Sequence, residues 1–275
     1  MPAGALIHLS NHAGVIQASG TASDFTNTLG NSGPGKKPHA LGVKHVTVAH
    51  RFPNINEYNN SLSFAIFNAN VGIGSTINGT VNIAVGQYTI TELLVALNAV
   101  TTGTVSFAAD ANTGLVTVTR TDGGTYTVAD ISGELLVVLG LPSAVRLAGE
   151  NSGFIFDPPG PRIGEDNMTA TSPPYLGGPT MLFLHSRTLA PGNMIHGDGR
   201  TYNVLETIDL SGVPYGGLAK KDVDADMINM ITYDAPEELS NIELFLTDER
   251  MRKLTLPANS PVNVVLRVLH SEADL

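Results

Sequence analysis

Four clusters in this sequence hold side chains of the kind that carry chemistry. At Thr247-Asp248-Glu249-Arg250 two carboxylates stand beside a guanidinium, with Arg252 and Lys253 just beyond. A general acid and base made from two carboxylates needs one raised pKa, hence burial, and a corner this polar provides none. The corner therefore reads as a charged bend between two strands. His45 and His50 are five apart on an expected strand, so they project to opposite faces and cannot share a metal. His185, Ser186 and Arg187 are adjacent on another strand, where neighbours diverge, and no Gly-x-Ser-x-Gly elbow surrounds the serine, so no triad forms there.

Asp222-Val223-Asp224-Ala225-Asp226 imitates the start of a calcium loop, but Met227 stands where the glycine is needed and Tyr233 where the closing glutamate should be. A solvated loop is the expectation, with weak metal binding near Asp222, Asp224 and Asp226 as its alternative. Gly72-Ile73-Gly74 lacks a third glycine and opens no helix, so it is no dinucleotide fingerprint. No catalytic, cofactor-binding or metal-ligating residue is assigned, no cofactor is expected, and the chain reads as a non-enzyme.

The elements that would position such groups are strands. The 275 residues suffice for one large β domain or two smaller ones. There is no cysteine, which removes disulfides, thiolate metal sites and cysteine nucleophiles. Only 15% of residues are charged while 42% are hydrophobic, which predicts a surface partly covered by other subunits. The net charge of -10 comes with no basic run longer than a pair such as Lys36-Lys37, so no direct contact with nucleic acid is expected. No segment is long and apolar enough for a membrane span, and Met1-Pro2-Ala3-Gly4 lacks the features of a signal peptide, so the mature chain is expected to start near Met1.

Ile242, Leu244 and Leu246 alternate with Glu243 and Phe245, and Val262, Val264, Leu266 and Val268 repeat the pattern beyond the corner. Further strands are expected at 43–51, 61–67, 181–189, 203–210 and 227–233, enough for two packed antiparallel sheets. Residues 1–42 read as an N-terminal arm with the first strands, ordered on binding a partner. Residues 43–70 and 149–275 form the main β domain, and 71–148 an inserted α+β domain. Within the insert, Thr89-Ile90-Thr91-Glu92 fits a capping box ahead of Leu93, Leu94 and Leu97, and Glu134 to Leu139 is a second short helix stopped by Gly140 and Pro142. Gly and Pro dominate from Asn151 to Pro179, which predicts a long loop.

"LSNIELFLTDERMRKLTL" followed by "VNVVLRV" resembles the C-terminal strands of penton-type minor capsid proteins of polinton-like viruses and virophages. Other pieces agree in order across residues 19–269: "SGTASDFTNTL", "RFPNINEYNNSLSF", "GQYTITELLVALNAV", "LLVVLGLP" and "LFLHSRTLAPGNMIHGDGRTYNVLETIDLSGVPYGG". The resemblance implies an all-β fold, a single jelly-roll β-sandwich with an inserted small α+β domain. It also implies a structural protein of the virion, a homopentamer at icosahedral vertices that neighbours major capsid proteins, and no catalytic residue to carry over. Host surface molecules are an expected partner of the insert. Two readings compete: a minor capsid protein cementing major capsomers, and a glycan-binding β-sandwich module, which the absence of Trp and 6% aromatics equip poorly.

Overall fold

The computed structural model describes residues 4–11, 17–21, 24–28, 38–67, 76–102, 105–121, 128–148, 167–189, 194–195, 199–223, 231–232, 241–257 and 259–270. The chain divides into two compact units, Met1–Phe52 with Pro179–Leu275, and Pro53–Gly178. It runs β1 (Gly4–Ser10), β2 (Gln17–Thr21), β3 (Asp24–Thr28) and β4 (Pro38–Ala49) in the first unit. The second unit holds β5 (Ser61–Phe67), β6 (Thr76–Asn82), α1 (Ile90–Val100), β7 (Val105–Ala109), β8 (Val116–Arg120), β9 (Val128–Ser132), α2 (Glu134–Val138), β10 (Ala144–Ala148) and β11 (Asn167–Thr169). The first unit resumes with β12 (Met181–Ser186), β13 (Met194–Ile195), β14 (Thr201–Tyr202), β15 (Val204–Asp209), β16 (Leu218–Asp222), β17 (Ile231–Thr232), β18 (Asn241–Thr247) and β19 (Val262–His270).

In the first unit one sheet has the order β1-β19-β4-β16, with β17 also on β4, and the other the order β15-β12-β18-β3-β2. Sequential segments alternate between the sheets, β1 in one, β2 and β3 in the other, β4 back in the first, and every pairing is antiparallel. This is the connectivity of a jelly roll, with the second unit inserted between β4 and β12. The alternation read from the sequence sets the core. Ile242, Leu244 and Leu246 on β18 and Val262, Val264, Leu266 and Val268 on β19 are all buried, and they join Val46 and Val48 of β4 and Leu182 and Leu184 of β12 in one cluster between the sheets.

Residues 1–42, expected as an arm, supply strands to both sheets. β1 pairs with β19 from Gly4↔Leu269 to Ser10↔Asn263, and β3 pairs with β18. The backbone of β1 is thus hydrogen-bonded into the sandwich along its length, and the buried Leu9 belongs to its core.

The compact units divide at 52/53 and 178/179, where the sequence reading placed limits at 70/71 and 148/149. Ser61–Phe67 does alternate, as expected, but it pairs with β6 and β9 and so belongs to the insert. That insert packs a four-stranded sheet, β10-β9-β5-β6, and a three-stranded sheet, β11-β8-β7, with two helices around a core of its own. The capping box forms as read: Thr89 accepts from the Glu92 N–H, and the Glu92 carboxylate accepts from the Thr89 N–H. Leu93, Leu94 and Leu97 of α1 are buried in this core. The long loop expected over 151–179 contains β11, and 151–166 lie outside the described residues. Most of the expected 227–233 strand lies outside them too, with Ile231–Thr232 forming β17.

The entrance and exit of the insert are stitched together by asparagine. The Asn54 side chain donates to the carbonyls of Tyr88 (2.7 Å) and Leu176 (3.2 Å) and accepts from the Tyr88 N–H (2.9 Å). Asn59 donates back to the Asn54 carbonyl at 2.9 Å. A stretch that reads as simple turn chemistry is therefore a hydrogen-bonded knot, which satisfies backbone groups that no ladder reaches.

Candidate functional site

The charged corner after β18 is built inward from Asp248. Its Oδ1 accepts the backbone N–H groups of Arg250 (2.9 Å) and Arg252 (2.8 Å), and its Oδ2 takes both Nε and a terminal nitrogen of Arg252 at 2.8 Å. Met251 completes the turn at φ 59°, a left-handed conformation. The bend reading stands, but its premise is corrected: Asp248 is 2% exposed. A carboxylate that accepts two backbone donors and a guanidinium is buried with its charge compensated, and serves as the pin of the turn.

On the outer face of the β1-β19-β4-β16 sheet, three side chains line up in the order of a hydrolytic triad. His45 Nδ1 lies 2.6 Å from Asp222 Oδ1, and His45 Nε2 lies 2.7 Å from Thr47 Oγ1. The strands dictate this, because His45 and Thr47 are two apart on β4 and Asp222 is the register partner of His45 on β16. What the relay lacks is a place for an oxyanion. Thr47 faces Lys220 on one side and Asn263 on the other, so the backbone around it is engaged in two ladders. The relay therefore cross-links β4 to β16. Asp224 and Asp226 lie outside the described residues. Among the described residues no three His, Asp or Glu side chains come together as metal ligands.

His50, expected to point away from His45, is buried and donates Nδ1–H to the Val213 carbonyl at 2.7 Å. Ser186 is fully buried, and its Oγ accepts the N–H groups of Thr188 (3.2 Å) and Leu189 (3.1 Å), a turn cap rather than a nucleophile. Three exposed carboxylates sit below their usual pKa because they cap turns. Glu92 is lowered by Thr89, Asp110 by Thr113 and Asp209 by Ser211.

A cluster of aromatic and polar side chains lies on the outer face of the other sheet. His185 is 1% exposed, its ring stacked on Phe245 (centroids 4.7 Å apart, planes at 10°) and met edge-on by Tyr202 at 6.3 Å. The Thr247 hydroxyl donates to the Met251 sulfur at 3.7 Å, leaving its oxygen to accept His185 Nε2–H at 2.8 Å. The Arg187 guanidinium lies 4.8 Å over the same Phe245 ring and pairs with Glu243 at 3.3 Å. Burial drives the His185 pKa down to about 4, with the backbone of Asn203 pulling the other way.

A shallow depression of about 480 Å³ lies over the insert's four-stranded sheet, lined by Ser63, Ala65, Thr80, Asp130 and Ser132 among others. Its hydroxyls partly satisfy each other, with Ser63 and Thr80 3.0 Å apart.

Sequence reasoning found His185 and His45 but missed their partners. The i, i+2 spacing of His45 and Thr47 was a usable signal. The contributions of Asp222, Phe245 and Tyr202 depend on strand register, which no local pattern carries.

No helix among the described residues is long and apolar enough to cross a membrane. No family model matches the chain, and no curated protein does. Among solved structures, a mavirus penton protein, crystallised in selenomethionine form, is similar at a TM-score of 0.42 and 12% sequence identity over 98% of this chain and 100% of that one.

Proposed function

We propose that the chain is a structural capsid subunit of the penton type, five copies of which close a ring at the vertices of an icosahedral virion. The observation that carries this reading is the jelly roll with a separately cored unit inserted between β4 and β12. A jelly roll offers flanks that pack around a symmetry axis, and heterologous contacts close into a ring when the rotation permits. The ordered sequence pieces that resemble penton-type minor capsid proteins point the same way. Major capsid proteins are then the neighbours of the ring. The chemistry agrees: at the corner, the triad-like relay and the buried serine, every candidate catalytic group is spent on holding backbone or strands.

Mass photometry of the purified chain tests the reading directly. Pentamers are expected. A chain that stays monomeric at high concentration would overturn the penton assignment, and a particle image with this chain between capsomers away from the fivefold axes would replace it with the cementing role. The separately cored insert is, on this reading, the part of the chain that contacts host or neighbouring proteins. Deleting residues 53–178 while keeping both assembly and infectivity would exclude that role.

A further inference from the structure

The cluster around His185 has a property that the assembly role does not require. The imidazole is enclosed on the outside of its sheet, the side where a protein of this architecture is ordinarily wet. Phe245 covers one face, Tyr202 closes an edge, and Phe183 stands 6.4 Å away. Tyr202 belongs to the two-stranded β13–β14 ribbon, which pairs with itself and with neither large sheet. The chain is tied to β12 one residue later, where the Asn203 carbonyl accepts the Ser186 N–H at 3.3 Å, so Tyr202 itself meets the sheet through its ring, and His185 is the titratable group that ring meets.

We propose that this cluster is an acid-sensitive latch, in which protonation of His185 releases the Tyr202 ring from the outer face of the β15-β12-β18 sheet while the sandwich stays folded. The charged and titratable side chains on the surrounding elements set the direction. Arg187 on β12 already places a cation over Phe245, so a proton on His185 puts a second positive charge against that ring. Glu243 on β18 is committed to Arg187. Glu206 on β15 pairs with Lys221 at 3.4 Å, and Asp248, next to Thr247, is held by Arg252. Among the described residues, the remaining groups on the ribbon and its approach are the Tyr202 phenol, neutral in acid, and the exposed Arg200; His196 and Asp198 of the same turn lie outside the described residues. None of these carboxylates is placed on the imidazole by a hydrogen bond.

The sign follows from linkage. A histidine whose folded value lies below its ordinary 6.5 binds fewer protons in the closed state than in the open one, so the closed state weakens as pH falls from about 6.5 to about 4. The full difference between those two values is roughly a 300-fold shift toward the open form.

The chain has no tryptophan, so Tyr202→Trp supplies a single reporter in the full-length protein. The expected result is a red shift of its emission as pH falls between about 6.5 and about 4, at constant far-UV circular dichroism, and loss of that transition when His185→Phe is added. His185→Gln, which keeps a partner for Thr247, serves if His185→Phe fails to fold. Emission that does not move down to pH 3, a transition that persists unchanged without His185, or one that coincides with loss of the circular dichroism signal would each overturn the latch. The readout uses the separate chain, so it stands or falls independently of pentamer formation.

Discussion

At the level of single residues, Asp248 decides between chemistry and architecture. A catalytic carboxylate is commonly held at some cost to stability, so neutralising it leaves the fold unchanged or firmer. Asp248 accepts two backbone N–H groups and the Arg252 guanidinium, which predicts the reverse. Asp248→Asn should lower stability by about 2 kcal/mol in a urea titration at neutral pH, since it strips the charge from a buried pair whose arginine keeps some water contact. An unchanged midpoint would reopen the functional reading of this corner. The spacing of Asp248 and Arg252 was visible in the sequence, as was the bend. The burial was not, because a polar residue reports nothing of what folds over it, and the wrong premise happened to lead to the bend. His185 shows the same limit: its strand was legible, its enclosure by Tyr202 from a separate ribbon was not.

Among the elements, what was legible followed from one-sided burial. β18 and β19 announce themselves by alternation, and α1 by its capping box and by Leu93, Leu94 and Leu97. β16 does not, because only Ala219 of Leu218-Ala219-Lys220-Lys221-Asp222 is buried, and the strand exists by pairing with β4. Two positions in the insert show how helices and strands are tied. The Asn98 amide of α1 donates to the Phe107 carbonyl at 2.8 Å and its oxygen accepts the Phe107 N–H at 2.7 Å, so one side chain completes the open edge of β7. Asn98→Leu leaves both groups unpaired and should cost about 2 kcal/mol, with faster amide exchange at Phe107 as the local sign. Gly140 follows α2 at φ 79°, and a Cβ there would fall 2.0 Å from the Ser172 carbonyl oxygen. Gly140→Ala should therefore lose about 3 kcal/mol or more, seen as raised exchange in peptides from 53–178 with those covering 241–270 unmoved. Equal loosening of both sets would show that the two cores do not respond separately.

For the molecule as a whole, the strand count and the presence of an insert were legible, but its limits were not. Ser61–Phe67 carries the same alternating signature as the jelly-roll strands, and only its partners β6 and β9 assign it to the insert. Partner choice is non-local, so it escapes any reading of pattern. Charge, by contrast, can be read without a fold. Residues 53–178 hold ten Asp and Glu against three Lys and Arg, so most of the net charge of -10 belongs to the inserted unit. The proposed ring of five copies would gather five such acidic units around one axis, and their mutual repulsion would oppose closure at low ionic strength. The Debye length shrinks from about 30 Å at 0.01 M salt to about 8 Å at 0.15 M, which removes most repulsion between exposed charges while leaving apolar contact intact. The pentamer fraction measured by light scattering at fixed protein concentration should therefore rise with added salt over that range. A fraction that falls instead would mean that ion pairs, rather than apolar flanks, hold the copies together, because screening weakens attraction between opposite charges by the same physics.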